Sequence, residues 1–573
     1  MNACIRNLSL LALSVAASTA CSRPDSPQAS SAADTVFRSG SIYTVDEQRP
    51  WAEAVAITDG RISYVGSNSG VDKYTGSDTT IVELDGRMML PAFQDSHIHP
   101  IGAGIEASTC NLNDLPGLAE YRSTIAGYAA ANPDVPWILG GGWSMAVFGP
   151  GATPNRNIID ELVADRPVYL SSADGHTGWA NSRALAIAGI DGNTPDPDDG
   201  RIDRDPETGE AIGSLQEGAM RLVEMYVPEN TLETRQQGLK YAMKLLNGYG
   251  ITSIQDAIVN REELETYASL DRGGQLDLRV VASLWWDRER DEEQIDDLLA
   301  LRERFDDGGR IRPTTVKIML DGVMENYTAA MLEPYLVPDG TRGIPMVEAE
   351  VLNRAVSLLD ALGFQAHFHA IGDAAVRQAL DAVEEALIEN GKLGHRHHIA
   401  HLQMIDPADI PRFKELDVVA NFQPLWAYAD DYVTELTIPF IGKARARWMY
   451  PIRSVQEAGG MIAFGSDWSV STANPFPQIE TAVTRKSAVD ELIPVFIPEE
   501  RIDLETAIAA FTINAAFVNK HEQDTGSIEV GKYADLIVVD QNLFEIEPRE
   551  VSETKVLLTL LEGKAVHGEL SDL

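Results

Sequence analysis

The spacing of hydrophobic and polar residues differs between the two ends of this chain and its middle. From Thr35 to about Leu90, and again from about residue 524, short alternating apolar segments are separated by turn residues, which is typical of β-strands. Asp59-Gly60 and Asp85-Gly86 predict hairpin turns. The predicted strands are Ile42–Thr44, Ala54–Ile57, Ile62–Val65, Ile81–Leu84, Ala534–Asp540 and Lys555–Leu561. The pattern predicts one small β-sandwich built from residues 35–88 and 524–573.

The middle of the chain, residues 89–523, alternates strand-like and helix-like segments. This alternation is typical of an α/β protein with a parallel sheet, and eight such strands with intervening helices predict a (β/α)8 TIM barrel. The predicted barrel strands are Met89–His97, Ile251–Asp256, Leu278–Leu284, Thr315–Leu320, Phe364–His369, His397–Leu402, Val418–Gln423 and Met461–Asp467. Predicted helices include Thr234–Tyr249, Val351–Leu362 and Asp373–Asn390.

Two further strand-like segments, Trp137–Trp143 and Pro167–Ser172, lie between the first and second barrel strands. We assign them to an insertion at about residues 104–227. Long insertions of this kind at the C-terminal face of a barrel commonly shape the active site, so the insertion is predicted to form a lid subdomain.

The first residues are predicted to direct export. Arg6 precedes a short apolar run, Leu8–Ala20, which is too short to span a membrane, so residues 1–21 are predicted to be a signal peptide. Ser18-Thr19-Ala20-Cys21 resembles a bacterial lipobox, although Ser18 stands where Leu is usual; an ordinary signal cleaved near Ala20 is the alternative. Residues 22–34 are predicted to be a flexible tether. The prediction is a periplasmic or cell-envelope lipoprotein that contacts the membrane only through its N-terminal lipid anchor.

The amino-acid composition limits the kinds of molecule that the protein is predicted to bind. The 573 residues carry 46 basic and 87 acidic side chains and a formal net charge of −41, which disfavours binding to nucleic acids. After removal of the predicted signal peptide, the remaining cysteines are Cys110 and Cys21, which is the predicted site of the lipid. No internal disulfide framework is therefore predicted. A small-molecule substrate is the predicted partner, and the oligomeric state is left open.

Candidate chemistry is concentrated at the predicted strand ends. His97 and His99 end the first barrel strand, and residues two apart on a strand face the same side. Lys317, His369, His401 and Asp467 lie near the ends of strands four, five, six and eight. Because strand ends meet at one mouth of a TIM barrel, these side chains predict a site for one or two divalent metal ions. Zinc is the default for nitrogen and oxygen ligands, and manganese, iron and cobalt are the alternatives.

The order of these residues along the chain resembles that in the amidohydrolase superfamily. The short motifs around them resemble those of its YtcJ-like subgroup, amidohydrolase family 3, which includes N-substituted formamide deformylases. The stretches that carry the resemblance span about residues 37–570. They are Asp95–His99, Asp174–His176, Gly250–Asp256, Val316–Gly322, His369–Asp373, Arg396–His401, Gly465–Trp468 and Gly531–Leu536. The chain departs from the family pattern at Ala92, Gln94, Ala400 and Ser469.

The resemblance implies a metal-dependent hydrolase with a terminal β-sandwich. It implies that Lys317 is N-carboxylated and bridges two metals; an uncarboxylated lysine in an ion pair is the alternative. It favours His369 over His367 as the ligand on strand five, and it implies that His176 polarises the substrate. Trp143 and Trp468 are predicted to contact the substrate.

These residues predict a mechanism. A divalent metal lowers the pKa of bound water to about 7 and so supplies hydroxide, and Asp467 would accept the proton and pass it to the leaving amine. The predicted reaction is hydrolysis of an amide-like C–N bond in a small molecule. The alternatives are an esterase, a lactonase or a metal-assisted isomerase at the same site, and a non-catalytic surface lipoprotein that binds a ligand.

Overall fold

The computed structural model describes residues 32–151, 153–306 and 308–573. The predicted signal peptide and lipobox, and the predicted tether up to residue 31, lie outside the described residues. Within the described ranges, no helix has both the length and the apolar character needed to cross a membrane.

Eight parallel strands form a barrel, as predicted. They are Phe93–Ile98, Ile251–Val259, Arg279–Trp285, Ile311–Met319, Gln365–Ala370, His398–His401, Val419–Phe422 and Ile462–Phe464. Neighbours in this order are hydrogen-bonded, and the first and last strands are joined just beyond the ladder, where the Asp467 amide donates to His97 O at 2.8 Å and the His99 amide to Trp468 O at 3.1 Å. The first and eighth strands therefore meet at the two sequence motifs that carry the candidate ligands.

Helices lie between the barrel strands and cover them. The helix bounds in the barrel region are Pro100–Glu106, Leu232–Gly248, Arg261–Arg272, Ile295–Phe305, Ala349–Ala361, Asp373–Asn390, Ile410–Glu415, Ile438–Ile441, Lys443–Ala446, Ile452–Glu457, Pro475–Thr484, Leu504–Ala510 and Ile513–Val518. Leu239, Leu246, Leu352 and Leu380 are among the helix residues in the main hydrophobic core. The three helices predicted from the sequence agree with the observed bounds to within two residues.

The predicted first barrel strand, Met89–His97, is in fact two strands. Met88–Pro91 pairs with Ser41–Tyr43 and Leu536–Val539 in the terminal β-structure, whereas Phe93–Ile98 belongs to the barrel. The hydrogen-bonding partner strand changes between two adjacent residues. The Ala92 amide donates to Asp535 O in the terminal β-structure, and the Phe93 amide donates to Gly250 O, next to the second barrel strand. A continuous apolar run gives no sign of such a change, since both strands are buried.

Strands from both ends of the chain form two sheets that pack together. One contains Thr35–Arg38, Ala54–Thr58, Arg61–Gly66 and Thr80–Glu83, and the other contains Ser41–Tyr43, Trp51–Ala52, Met88–Pro91, Leu536–Val539, Val556–Leu561 and Lys564–His567. Phe37 and Val82 of the first sheet share a buried cluster with Leu536 and Leu558 of the second. This is the predicted sandwich.

The two predicted hairpin turns have different outcomes. Asp59-Gly60, with φ of +51° and +75°, joins the antiparallel strands Ala54–Thr58 and Arg61–Gly66. Asp85-Gly86 has the same conformation, with φ of +51° and +85°, but the strands on either side of it belong to different sheets. The second hairpin prediction is therefore wrong, although the turn itself is real.

The insertion forms a six-stranded sheet of its own. Its strands are Cys110–Asn111, Ile138–Trp143, Val168–Ser172, Thr177–Ala180, Gly200–Arg204 and Ala211–Glu217, and its helices are Leu118–Ala131, Arg156–Asp160, Ser182–Ala188 and Arg221–Glu224. The two strands predicted here are present to within one residue. Asn326 Nδ2, in the loop after the fourth barrel strand, donates to Gln216 Oε1 at 2.8 Å. This bond fastens the end of the insertion to the barrel mouth.

Candidate active site

The candidate ligands converge at the mouth of the barrel. His97, Lys317, His369 and His401 lie on the first, fourth, fifth and sixth strands, and Asp467 follows the eighth. All five side chains are buried, with exposures of 1% to 5%. Together with the partly exposed His99 they line one cavity of about 1090 Å³ between the barrel and the insertion. The six residues predicted as metal ligands therefore line the same cavity, and three of them, His97, His401 and Asp467, have ligand atoms close enough to share one ion.

Asp467 is the centre of this cluster. Its Oδ1 lies 3.0 Å from His99 Nε2 and 3.3 Å from His97 Nε2, and its Oδ2 lies 3.8 Å from His401 Nδ1. Burial alone would raise the pKa of Asp467, but the close imidazoles of His97, His99 and His401 hold that pKa well below its usual range. The carboxylate is therefore ionised at neutral pH.

Two atoms in this cluster lack the partners that buried polar atoms normally have. Among the described residues, neither Asp467 Oδ1 nor His401 Nδ1 has a partner with hydrogen-bonding geometry. The ligand atoms of His97, His401 and Asp467 lie within 4.8 Å of one another. Two imidazole nitrogens and a carboxylate oxygen around one point are a suitable donor set for a divalent cation. The residues present therefore fit the metal that the sequence predicts.

The backbone is specialised where these ligands are presented. His401 and Asp467 have φ of +80° and +53°, a region that residues other than glycine adopt uncommonly and that clusters at functional sites. Gly465 lets the eighth strand approach the first, because a Cβ at this position would lie 2.6 Å from the His97 amide nitrogen. These features bring Asp467 beside His97.

His97 is held from behind by a second histidine. Its Nδ1 lies 2.8 Å from His367 Nε2, and His367 Nδ1 lies 3.0 Å from Ser283 Oγ. Burial lowers the pKa of both imidazoles well below the usual range, so both are neutral. A neutral His97 that donates from Nδ1 presents the lone pair of Nε2 toward Asp467, which is the arrangement that a metal-binding histidine requires. His367 therefore orients His97 from behind.

Lys317 lines the cavity at the barrel mouth, while Val316 and Ile318 on either side of it belong to the main hydrophobic core. Its Nζ lies 3.5 Å from His97 Nε2. Burial lowers the pKa of Lys317 to about 7. No carboxylate within the described ranges forms an ion pair with it, so the amine is held among the candidate ligands without a direct counter-ion.

His369 lies beside a buried carboxyl group, that of Asp321, whose role was not predicted from the sequence. His369 Nε2 lies 3.3 Å from Gly322 O and 3.6 Å from Asp321 Oδ1. Asp321 accepts hydrogen bonds from the amides of Ala330, Ile371 and Gly372, at 2.9, 3.0 and 2.8 Å. Asp321 thus ties the loop after strand four to the end of strand five and fixes the surroundings of His369.

His176 reaches the site from the insertion. Its ring centroid lies 5.1 Å from that of His369, and its Nδ1 lies 2.8 Å from Glu217 Oε2. Glu217 Oε1 accepts from Thr328 Oγ1 at 2.6 Å. Burial opposes protonation of His176, but the charge and hydrogen bond of Glu217 outweigh it and raise its pKa to about 9. His176 is therefore a cationic donor at neutral pH.

Glu217 and Thr328 were not predicted from the sequence. They lie far apart along the chain, in the last strand of the insertion and in the loop after barrel strand four. The one local sign of a special role for Glu217 is its backbone φ of +50°, which a sequence does not report.

The predicted substrate contacts through tryptophan are corrected. Trp143 is fully buried in the core of the insertion, where its Nε1 donates to Leu170 O at 3.0 Å and its ring packs against Trp179. Trp468 is half-buried, and neither it nor Trp143 is among the described residues that line the cavity. Trp426 lines it instead and stacks on His401, with 5.5 Å between ring centroids. The position of a tryptophan near a strand end therefore did not show whether its side chain packs in the core or lines the cavity.

Comparisons with known proteins agree with this architecture. Protein LONG AFTER FAR-RED 3 of Arabidopsis thaliana is 32% identical over 562 residues, covering 94% of this chain and 93% of its own. Putative amidohydrolase YtcJ of Bacillus subtilis (strain 168) is 28% identical, covering 93% and 99%, and N-substituted formamide deformylase of Arthrobacter pascens is 26% identical, covering 92% and 97%.

A solved structure shares the fold. An uncharacterized metal-dependent hydrolase from Pyrococcus furiosus superposes with a TM-score of 0.68 at 25% identity, covering 89% of this chain and 99% of its own. A model of the amidohydrolase family matches residues 80–567, which is most of the chain. This chain belongs to the amidohydrolase family.

Proposed function

We propose that this chain hydrolyses an amide-like C–N bond in a small molecule with the help of a divalent metal at the barrel mouth. The observation that carries the proposal is the convergence of His97, His401 and Asp467 within 4.8 Å, with His401 Nδ1 and Asp467 Oδ1 buried and unsatisfied within the described part of the chain. Membership of the amidohydrolase family supports a hydrolase, and the formamide deformylase among its relatives supports a C–N bond.

The proposed metal is zinc, held by His97, His99, Lys317, His369, His401 and Asp467 as one or two ions. When bound, such an ion lowers the pKa of a coordinated water to about 7. Asp467, ionised and buried beside the imidazoles, is the group placed to accept a proton from the attacking water and to return it to the leaving amine. His176 is placed to donate a hydrogen bond to the scissile carbonyl oxygen, where negative charge develops.

Lys317 is the proposed site of N-carboxylation. With a pKa lowered to about 7, a large fraction of its amine is neutral at neutral pH, and the neutral amine is the form that adds to carbon dioxide. The carbamate would turn a buried lysine into an anionic ligand, which suits a dication. The observation in support is the position of Nζ, 3.5 Å from His97 Nε2 inside the ligand cluster.

The proposed reaction is tested with three substrate panels of matched shape: amides, esters and lactones. Each is assayed with the metal-loaded protein and with the same preparation after chelation. We expect turnover of amides, its loss on chelation and its return with zinc. Hydrolysis confined to esters or lactones would replace the C–N assignment, and turnover that survives chelation would overturn the role of the metal.

His176→Ala should lower turnover while metal content is retained. His176 belongs to the insertion, and its nearest charged partner is Glu217, at 2.8 Å, not the ligand cluster. Loss of one preorganised donor to a developing oxyanion costs about 10²–10³-fold in kcat. Steady-state kinetics and metal analysis on one preparation make the measurement. Loss of metal from this variant would show that His176 serves the metal instead.

Export with a lipid anchor is also proposed, on the basis of residues 1–21 alone. Mass spectrometry of the mature protein from a bacterial envelope should find Cys21 as the first residue, carrying a lipid. A mature N-terminus at or beyond Ser22 without lipid would contradict the anchor but not the export. Retention of Met1 through Ala20 in the mature protein would contradict both.

A further inference from the structure

One wall of the cavity contains carboxyl groups that lack a positively charged partner. Glu325 is 5% exposed and lines the cavity, and its Oε1 accepts from Gln403 Nε2 and Thr437 Oγ1, both at 3.2 Å. Asp430 lines the same cavity and accepts from the Val433 amide at 2.9 Å. Within residues 32–151, 153–306 and 308–573, neither carboxyl group has a lysine, arginine or histidine at ion-pair distance. Burial raises the pKa of both carboxyl groups, that of Asp430 to about 7, because neither has the cationic partner that would hold a carboxylate ionised at this wall.

An aromatic hydroxyl at the same wall is also without a partner. Tyr450 is 3% exposed and lines the cavity, and its hydroxyl makes no hydrogen bond to any described residue. A buried tyrosine hydroxyl usually finds a partner. The Tyr450 amide donates to Gln403 O at 2.9 Å, and Gln403 in turn donates to Glu325. Glu325 and Asp430 both accept from the short helix Tyr432–Thr437, so the three groups lie in one neighbourhood. A ligand with hydrogen-bond donors would satisfy all three.

This wall adjoins the proposed metal ligands. Gln403, which donates to Glu325, follows His401 by two residues, and both line the cavity. Trp426, stacked on His401, lines it as well. Aromatic faces attract cations as carboxylates do. A substrate whose scissile bond lies at the metal cluster would therefore extend along Trp426 toward Glu325.

The cationic side chains of the cavity are already engaged. Arg221 pairs with Asp199 and Glu289, at 2.8 and 2.7 Å, and Arg288 Nε donates to Asp199 at 2.6 Å. His176 pairs with Glu217, and Lys317 lies among the proposed ligands. An anionic substrate would have to compete with these carboxylates, whereas a cationic substrate would meet carboxyl groups that have no counter-charge.

We infer that the substrate carries a positively charged group, an ammonium or guanidinium, which binds Glu325 and Asp430 beside Tyr450 while the scissile bond lies at the metal-ligand cluster. The inference rests on the proposed function, because it takes that cluster as the place of reaction. It names the substrate class as an N-acylated amine with a second, cationic nitrogen.

The test compares two amides that differ in one terminal group: N-acetylcadaverine, which ends in an ammonium, and N-acetylhexylamine, which ends in a methyl group. Formyl and benzoyl versions of both serve as acyl alternatives. The metal-loaded wild type should prefer the cationic amide by roughly 10- to 100-fold in kcat/KM, as expected for charge-assisted hydrogen bonds in a buried site. Equal rates, or preference for the neutral amide, would overturn the inference.

Glu325→Gln keeps an oxygen acceptor for Gln403 and Thr437 but removes the charge, so the preference should fall to near unity, mainly through KM of the cationic amide. Glu224→Gln is the matched control, because Glu224 lines the same cavity but accepts from the Tyr169 hydroxyl at 3.1 Å. The control should keep the preference. If both variants lose the preference for the cationic amide equally, the preference comes from the general negative potential of the cavity. If Glu325→Gln keeps the preference, Glu325 does not bind the cation. Either result overturns the inference.

Failure of the proposed function is separable from failure of this inference. If amides are not cleaved, calorimetric binding of the same two amides to the metal-loaded wild type still measures the preference for the cation. Tighter binding of the cationic amide, weakened by Glu325→Gln, would support the charge site even with the C–N assignment lost. Equal binding of the two amides would contradict it.

Discussion

Asp467→Asn should retain much of its metal yet lose roughly 10²–10⁴-fold or more in turnover, the usual span for general acid–base catalysis. Asparagine keeps the size of the side chain and one oxygen donor toward His97 and His99, whose Nε2 atoms lie 3.3 and 3.0 Å from Asp467 Oδ1. It cannot accept a proton. The loss should appear in kcat and kcat/KM alike, because the interaction is made in the transition state.

Two measurements on one preparation decide the role of Asp467. Metal analysis after dialysis reports ligation, and single-turnover kinetics report the chemical step. Full loss of metal from Asp467→Asn would show that Asp467 is a metal ligand, and the experiment would then not identify the base. Near-normal turnover with metal bound would defeat the assignment and move the search for the base to His367, the neutral imidazole next to His97. Asp373 is a poor alternative, because its carboxyl group accepts from the Leu332 amide at 2.8 Å and lies outside the cavity lining.

The barrel was predictable because its strands and helices have different hydrophobic periods over long segments. The sequence located all eight strands and placed three long helices within two residues. Prediction from the sequence failed where the structure is not determined by the local pattern of hydrophobic residues. Residues 88–93 form one apolar run, yet the sheet partner changes at Ala92. Most strands of the insertion were also missed, since segments such as Thr177–Ala180 and Cys110–Asn111 are too short to show a period.

The candidate ligands were predictable for a geometric reason. Parallel strand ends in a barrel share one mouth, so residues on strands one, four, five, six and eight could be assigned to one place. Residues that act on the ligands from outside the strands were not predictable. Glu217 faces His176 only because the insertion folds back over the barrel, and Glu325 faces the cavity from the long loop after strand four.

The prediction that Trp143 contacts the substrate shows the limit of residue type as evidence. A tryptophan near a strand end fits a pocket wall and a core equally well. Trp143 satisfies its Nε1 with Leu170 O and packs against Phe148 and Trp179, so it stabilises the insertion. Trp426 follows the seventh barrel strand and lines the cavity, where it stacks on His401 at the end of the sixth strand.

His401→Ala should lose both metal and activity. His401 Nδ1 is buried, has no hydrogen-bond partner among the described residues and lies 3.8 Å from Asp467 Oδ2, so it is free to bind a metal. Changing residues that merely orient a metal ligand costs about 10–100-fold in metal affinity or activity. Removing a direct ligand should cost at least as much, and turnover should fall together with bound metal.

His397→Asn is the matched control for this experiment. His397 lies just before the same strand, but its Nε2 lies 3.1 Å from Asp360 Oδ1 and its Nδ1 accepts from the Ala366 amide at 2.9 Å, away from the cavity. This variant should keep its metal. Thermal unfolding gives a readout apart from activity, because an ion that binds only the folded state raises Tm in proportion to its binding free energy. Added zinc should raise Tm of the wild type and of His397→Asn after chelation, and should raise it far less in His401→Ala. An equal rise in all three proteins would remove His401 from the metal site.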